Sequence, residues 1–286
     1  MFANKSVKKL ILVLIFLCIS TIFGFLYYSC KDNKDYKSRT LYSMTNDRYL
    51  YLRDSLSEVQ NNMLQDSTLS NGYYKTYSKY EFSYFAKILD WFQTDYIVKA
   101  KPVKILDVGC AYGTFLFYIR HNLPSAELYG IDFVDNFFSK KLGAEKNINF
   151  AVANIENEPL PFTEKFDVII LTEVLEHFNY NPIDTLKKLA ASLKDDGALY
   201  LSTPDSSSAW GVTKKYYQSF NQIPTPDSCA VDGKCTNIDD HVWQYNLKEL
   251  LFVINMAGLE VERLEYTFSG KESRHFNLLL KKRSKQ

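Results

Sequence analysis

Apolar runs separated by polar turns characterise the chain from about residue 80 onwards. Short runs rich in Val, Ile and Leu are typical of strands buried on both faces of a parallel sheet, and apolar residues three and four apart are typical of the helices that cover it. The pattern predicts helices at 112–120, 181–193 and 247–257, and strands at 103–108, 128–132, 148–154, 166–171, 198–204, 259–264 and 275–281. This alternation predicts an α/β fold with a doubly wound sheet.

The first predicted strand leads directly into a glycine-containing turn, Asp107-Val-Gly-Cys-Ala-Tyr-Gly113. Gly109 and Gly113 remove side chains where backbone must approach a ligand, and the helix that follows offers unpaired N–H groups at its N-terminus. A dinucleotide-binding fingerprint requires a further glycine at position 114, where this chain has Thr114. The turn therefore predicts a nucleotide-type ligand and disfavours NAD.

The spacing of this turn resembles motif I of class I S-adenosylmethionine-dependent methyltransferases, with Ala111 where many members have glycine. The resemblance covers roughly residues 73 to 283. It implies a Rossmann-like, doubly wound, seven-stranded sheet in the order 3-2-1-4-5-7-6 with the last strand antiparallel. It also implies S-adenosyl-L-methionine as the cofactor.

The resemblance assigns roles to residues at the ends of successive strands. Asp107 is expected near the amino group of the cofactor, and Asp132 is suited to accept two hydrogen bonds from the ribose hydroxyls. Asn154 and Ile155 are expected beside the adenine. The full set of predicted cofactor contacts is Asp107, Gly109, Ala111, Gly113, Asp132, Asn154, Ile155 and Thr172.

The segment after the fourth strand, Thr172-Glu-Val-Leu-Glu-His177, resembles small-molecule O- and C-methyltransferases of the ubiquinone-biosynthesis type. His177 is a candidate general base at the carboxyl edge of the sheet, or a structural histidine oriented by Glu173. Some members of that type hold a divalent metal with two acids and the histidine, here Glu173, Glu176 and His177. In a helix these side chains do not share one face, so no metal site is predicted.

Two further regions are candidates for contact with the ligands. In related enzymes a helix in the position of Tyr80–Tyr96 lies over the cofactor mouth, and a helix packed on the sheet is the alternative. The segment 205–240 is long for a loop of an α/β fold and is predicted to bind or cover the substrate. Its aromatic residues Trp210, Tyr216 and Tyr217 either line an acceptor pocket or hold the loop together. His241 either faces the acceptor or has a structural role.

The N-terminal region carries an apolar run over residues 10–28, which spans about 29 Å at helical rise. The run predicts a single-pass membrane anchor over residues 1–30, followed by a polar, partly helical stalk over 31–72 and the catalytic domain over 73–286. A lipoprotein signal ending at Cys30 and a buried core helix are the alternatives. Lysines flank the run on both sides, so charge does not set its orientation.

The cellular compartment follows from the cofactor rather than from charge. Because S-adenosylmethionine is made in the cytosol, we expect the catalytic domain to face the cytoplasm. Cys229 and Cys235 are either two free thiols or, in an oxidising compartment, a disulfide.

The charge balance narrows the choice of acceptor. A net charge of +1 leaves no surplus of cations for a phosphate backbone, so no nucleic-acid partner is predicted. The sequence thus predicts methyl transfer to a small molecule, a lipid-linked intermediate or a glycan, most readily on oxygen. A non-catalytic S-adenosylmethionine-binding module at a membrane and an NAD-dependent oxidoreductase are the rival hypotheses.

Overall fold

A seven-stranded sheet runs through the protein, and each predicted strand belongs to it. The computed structural model describes residues 44–70, 72–208, 216–228, 238, 240–269 and 273–283. The strands are β1 (Lys104–Val108), β2 (Glu127–Asp132), β3 (Ile148–Val152), β4 (Phe166–Thr172), β5 (Leu193–Pro204), β6 (Leu259–Ser269) and β7 (Ser273–Lys282).

Helices precede and connect these strands. They are α1 (Asn46–Met63), α2 (Ser67–Ser70), α3 (Tyr74–Phe92), α4 (Thr114–Asn122), α5 (Lys140–Glu145), α6 (Ile183–Ser192) and α7 (Leu247–Met256). A π-helical turn at Gln93–Ile97 and short 3₁₀ turns at Leu175–His177 and Phe220–Gln222 complete the described elements.

The strand order is β3-β2-β1-β4-β5-β7-β6. β1 pairs in parallel with β2 and β4, and the parallel pairing continues from β2 to β3 and from β4 to β5. β7 runs antiparallel to both of its neighbours, β5 and β6. The predicted order and the antiparallel last strand are therefore confirmed. The order in which successive strands are added to the sheet reverses between β1 and β4, and such a switch point places a ligand crevice at the carboxyl ends of the strands.

The central strands are apolar on both faces because helices cover both. Leu106, Ile169 and Leu199 belong to one buried cluster with the apolar side chains of α6 and α7. Alternate residues of a strand point to opposite faces, so Tyr200 lies on the other side of the sheet. There its ring meets Phe92 of α3, with 6.2 Å between centroids.

Helix α1 lies within the segment that the sequence predicted as a polar stalk. Its residues Leu52, Leu56, Val59 and Met63 are buried at the helical spacing seen in the sequence. The helix contacts α3 and α4 and, over the described residues, belongs to the same compact unit as the sheet, which begins at Asn46.

Helix α3 is kinked at Phe85, whose φ of −135° and ψ of 24° are not helical. Asn277 of β7, which is fully buried, donates through Nδ2 to the carbonyl of Tyr84 at 3.0 Å and accepts through Oδ1 from the amide of Ile88 at 3.4 Å. In a regular turn that carbonyl and that amide would bond to each other. The inserted side-chain amide therefore holds the kink, and Thr267 adds a second donor to Tyr84 at 2.9 Å.

The predicted membrane localisation is contradicted over the part of the chain that the structure describes. No helix among the described residues is both long enough and apolar enough to cross a bilayer. The apolar run at 10–28, on which the single-pass anchor and the cytoplasmic orientation depended, lies outside the described residues. The membrane assignment is therefore not retained.

Replacement of Asn277 by Leu is expected to lower the free energy of unfolding by about 2–3 kcal/mol. The change leaves the Ile88 amide without its partner and removes a donor to Tyr84, both inside the protein. Thermal or urea unfolding monitored by circular dichroism measures the loss. The exposed Asn149 provides a matched control, since Asn149→Leu should change the free energy by less than about 0.5 kcal/mol. Equal stability of Asn277→Leu and the wild type would show that the amide does not hold the kink.

Candidate active site

The turn between β1 and α4 has three residues in the left-handed region. Gly109, Ala111 and Gly113 have φ values of +68°, +44° and +76°. The carbonyl of Ile131, at the end of β2, accepts hydrogen bonds from the amides of Gly109 at 2.8 Å and Cys110 at 3.1 Å. Ala111 holds a conformation that costs an L-residue free energy, so the turn must be stabilised by its surroundings.

Two positions of this turn require glycine because neighbouring side chains leave no room for a Cβ atom, in addition to the left-handed dihedral angles. A Cβ atom on Gly109 would lie 2.4 Å from Cγ2 of Val174, in the segment after β4. A Cβ atom on Gly113 would lie 2.7 Å from Cε2 of Phe138. The sequence attributed these glycines to a ligand, whereas the structure shows that protein side chains already fill the space beside them.

Asp132 is the main support of the turn. Its Oδ2 accepts from the Ala111 amide at 2.8 Å and its Oδ1 from the Val134 amide at 3.3 Å. The side chain is buried, and burial raises the pKa of its carboxyl above the usual value. Asp132 thus stabilises the turn through the Ala111 amide. It also lies at the end of β2, where the sequence predicted a ribose-binding acid.

Asp107, the first residue of the motif, has a different environment. It is 3% exposed, and no described group hydrogen bonds to its carboxylate. Burial, followed by the charges of Asp132 and Glu81, raises the pKa of Asp107 well above its usual value. A buried carboxyl without a partner fits a cationic group, and the amino group of S-adenosylmethionine is such a group.

The remaining predicted cofactor residues lie on the same edge of the sheet. Asn154 and Ile155 follow β3, and Thr172 ends β4. Asn154 accepts from the amide of Glu156 at 3.1 Å through Oδ1, and Ile155 is buried. Because β1 to β4 are parallel neighbours, their carboxyl ends bring these residues together with Asp107 and Asp132.

Glu173 opens the segment after β4 with a φ of +55°. Its Oε2 lies 2.8 Å from Nδ1 of His275, a buried pair, and its Oε1 accepts from the Ser202 hydroxyl at 2.8 Å. Ser269 lies 3.2 Å from the other ring nitrogen of His275. The sequence analysis missed His275, because nothing in the pattern of a strand residue identifies a partner 102 positions away.

A second group forms where the 3₁₀ turn Leu175–His177 meets the segment before α7. The carbonyl of Glu176 accepts from the amides of Val242 at 2.7 Å and Trp243 at 3.2 Å, which fixes His241 beside His177. The two imidazole rings meet edge to face with centroids 4.6 Å apart. One ligating atom from each of Glu176, His177 and His241 lies within 4.8 Å of the others.

Each of these three side chains is oriented by a neighbour. Nδ1 of His177 lies 3.1 Å from the Asp240 carbonyl, and Nδ1 of His241 lies 2.9 Å from Nε2 of Gln244. Glu176 accepts from the Thr203 hydroxyl at 2.9 Å. His177 donates through Nδ1 to the carbonyl and keeps a lone pair on Nε2, whereas Nδ1 of His241 accepts from the Gln244 amide and therefore carries the lone pair of that ring.

The donor set fits a divalent metal ion, and it shares Glu176 and His177 with the set that the resemblance implied. One carboxylate and two imidazoles suit zinc, manganese or iron. Burial, and then the neighbouring His177, lower the pKa of His241 to about 4, so that its ring is neutral at pH 7. Glu173, in the set implied by resemblance, is instead directed at Ser202 and His275. The residues that fit are Glu176, His177 and His241.

Helix α3 contributes a stripe of residues that sequence reasoning overlooked. The ring of Tyr77 packs at a tilt against Tyr112 of the motif turn, with 5.7 Å between centroids, and that of Tyr84 against His275 at 4.8 Å. Glu81 lies between them at helical spacing and is buried. The signal for this stripe was the spacing of four and three residues between Tyr77, Glu81 and Tyr84.

The structure describes two of the three predicted substrate residues, Tyr216 and Tyr217. The hydroxyl of Tyr216 donates to Asp240 at 2.9 Å, next to the histidine pair. Tyr217 packs against the apolar cluster shared with α6 and α7. Trp210, Cys229 and Cys235 lie outside the described residues.

Comparison with known proteins agrees with this geometry. A family model described as a methyltransferase domain matches residues 77–264. A malonyl-[acyl-carrier protein] O-methyltransferase of Acetivibrio thermocellus is 30% identical over 132 residues, which are 46% of this chain and 44% of that protein. A tRNA U34 carboxymethyltransferase of Helicobacter acinonychis is 30% identical over 148 residues, covering 47% and 54%. The chain spans about half the length of these curated relatives.

Among solved structures, an S-adenosylmethionine-dependent methyltransferase from Clostridium acetobutylicum superimposes with a TM-score of 0.48 at 12% identity, covering 68% of this chain and 90% of that one. The family model spans well over half of the chain, from α3 into β6, and includes the motif turn and the group of Glu176, His177 and His241. The chain therefore belongs to the methyltransferase domain family of class I, S-adenosylmethionine-dependent enzymes.

Proposed function

We propose that this methyltransferase transfers the methyl group of S-adenosylmethionine to an oxygen atom of a small-molecule acceptor. The observation that carries the proposal is the position of the Glu176, His177 and His241 group on the same sheet edge as the motif turn. A glycan is a further acceptor of the same chemistry. The malonyl-[acyl-carrier protein] O-methyltransferase relative supports an oxygen acceptor.

The chain's own residues supply orientation and proton removal. When bound, S-adenosylmethionine provides a methyl group on a positively charged sulfur. Asp107 is suited to the amino group of the cofactor, Asp132 to its ribose, and Asn154 with Ile155 to its adenine. Methyl transfer requires the acceptor oxygen to lie in line with that methyl group, so the crevice acts chiefly by alignment.

His177 is the candidate base for the acceptor proton. Its Nδ1 is held by the Asp240 carbonyl, which leaves Nε2 as the proton-accepting nitrogen. His241 is less suited to this role, since its pKa of about 4 makes its imidazole a weak base at neutral pH. We propose that His241 orients His177 and the acceptor.

A metal-assisted reaction is the second candidate, and the spacing of the Glu176, His177 and His241 atoms favours it. A divalent cation there would lower the pKa of an acceptor hydroxyl and replace the base. His177 would then be a ligand rather than a proton acceptor. The two roles are exclusive and can be separated by experiment.

The acceptor class is tested with the full chain, methyl-tritiated S-adenosylmethionine and cell extract. After incubation, small molecules, polysaccharide, protein and RNA are separated and counted. Label in the small-molecule or polysaccharide fraction supports the proposal, whereas label in RNA would place the chain with its carboxymethyltransferase relatives. Bound S-adenosylhomocysteine without any label would indicate a non-catalytic binding protein. Stabilisation by NADH in place of S-adenosylhomocysteine would contradict the assigned cofactor.

His177→Gln is expected to lower labelling by about 10²-fold, since a general base or a metal ligand is lost. Binding of S-adenosylhomocysteine, measured by titration calorimetry, should stay unchanged because His177 serves the acceptor. If His177→Gln lost methyl labelling and binding of S-adenosylhomocysteine to the same extent, His177 would instead be needed for the structure of the cofactor site.

Asp132→Ala is expected to weaken binding of S-adenosylhomocysteine by about 1–3 kcal/mol, because the ribose partner and the support of the Ala111 amide are both lost. Titration calorimetry measures the change. Asp135→Ala is the matched control: Asp135 is an exposed acid three residues further on, paired with Lys140, and its removal should leave binding unchanged. Unaltered affinity of Asp132→Ala would remove this residue from the site.

Addition of Mn²⁺, Zn²⁺ or Mg²⁺ at millimolar concentration is expected to raise the melting temperature by a few degrees if the cluster holds a metal. His241→Ala should abolish the increase, because one of three ligands is lost. His121→Ala, which removes an exposed histidine of α4, should not alter it. If none of the three cations raises the melting temperature of the wild type, His177 acts as a base without a metal.

A further inference from the structure

Glu81 is a buried acid that no step of the proposed reaction has used. It lies on α3, is 4% exposed, and accepts from Nε2 of Gln60 at 2.7 Å. Tyr74, two helical turns before Glu81 on the same face of α3, has its hydroxyl 3.1 Å from that of Thr114, at the start of α4. Thr114 follows Gly113 directly, so this face of α3 lies against the first residue after the motif turn.

The position of Glu81 depends on the kink of α3. The half-helix before Phe85 carries Tyr77, Glu81 and Tyr84, and the Asn277 amide holds the bend between this half and the half that packs on the sheet. Tyr77 and Tyr84 flank Glu81 and contact Tyr112 and His275. The half-helix therefore forms a wall that runs from the motif turn to the segment after β4.

Glu81 and Asp107 are both almost completely buried, and the charge of Glu81 helps to raise the pKa of Asp107, after burial and the charge of Asp132. In the part of the chain that the structure describes, no lysine, arginine or histidine forms an ion pair with either acid. Two buried carboxylates without a cation are costly, and a bound cation removes that cost.

We infer that Glu81 is a cofactor-binding residue, which forms with Asp107 a paired-carboxylate subsite for the ammonium group at the amino-acid end of S-adenosylmethionine. The inference rests on the proposed function, since it requires that this cofactor binds at the motif turn. Asp107 alone is expected from the motif, whereas Glu81 comes from a helix outside it. In this inference, the half-helix of α3 covers the cofactor site and also binds the cofactor, through the Glu81 carboxylate and the ammonium group.

The subsite makes cofactor binding depend on pH. Burial raises the pKa of Glu81 to about 7 in the free protein, so the acid is partly protonated there at neutral pH. An ammonium ion favours the charged form, so binding releases a proton, and affinity rises as pH increases from 6 to 8. The other ionisable groups facing Glu81 are Asp107, Tyr74, Tyr77, Tyr84 and Tyr112, and the burial that raises the pKa values of these tyrosines keeps them neutral over this range.

The test uses two ligands that differ only at the amino-acid end. S-adenosylhomocysteine carries the ammonium group, and 5′-methylthioadenosine lacks it. Glu81→Gln, which is isosteric with the protonated acid, should weaken S-adenosylhomocysteine at least tenfold at pH 7.5 and leave methylthioadenosine within twofold. Asp90→Asn is the matched control, since Asp90 lies on the same helix but pairs with Arg48, and it should alter neither affinity.

Titration calorimetry in two buffers of different ionisation enthalpy provides the second measurement. The wild type should release a fraction of a proton per S-adenosylhomocysteine bound at pH 7, and Glu81→Gln should release markedly less. Equal loss of affinity for both ligands, or unchanged proton release in Glu81→Gln, would overturn the inference. If the wild type binds neither ligand, the proposed function itself fails. That outcome differs from the two results that would overturn only the inference about Glu81. Should Glu81→Gln fail to fold, Glu81→Asp, which keeps the carboxyl but shortens its reach, is measured with the same two ligands: loss of affinity for S-adenosylhomocysteine alone supports the inference, and equal affinities to the wild type overturn it.

Discussion

The end of β2 holds the turn that follows β1, and the rest of the site depends on that contact. The Ile131 carbonyl accepts from two successive amides of the turn, and the next residue, Asp132, accepts from a third. Three left-handed residues in five positions would be unstable in a free loop. The register of the parallel pair β1 and β2 places the Ile131 carbonyl and the Asp132 carboxylate beside the amides of the turn. The sheet register therefore determines the geometry of the turn.

This constraint extends to the strand on the other side of β1. Val174, just beyond β4, occupies the space that a side chain at Gly109 would need. The turn is therefore enclosed by the ends of β2 and β4. The segment after β4 is in turn tied to the chain before α7 through the Glu176 carbonyl, which brings the two histidines together.

Acidic groups dominate this edge of the sheet. Asp107, Asp132, Glu81 and Glu176 are all buried, and burial raises the pKa of each above its usual value. Glu173 has a buried histidine as its partner. Burial of this many acids is costly unless they are protonated or meet a positive charge. In the proposed function, a cofactor with a sulfonium and an ammonium group supplies that charge.

The sequence by itself determined the strands, the motif turn and the strand-end acids, because these depend on local periodicity and on spacing along a short stretch of chain. The strand order followed from the family resemblance that the motif turn carries. Only the tertiary structure decided which side chains meet across the site. His275 pairs with Glu173, and Asn277 bends α3, because β7 inserts in reverse between β5 and β6; no local pattern records which residues an inserted strand will face. The set Glu176, His177 and His241 has the same origin. In a regular helix, Glu176 and His177 would point to different faces. The observed 3₁₀ turn and the hydrogen bonds of its Glu176 carbonyl to the amides of Val242 and Trp243 bring Glu176, His177 and His241 together.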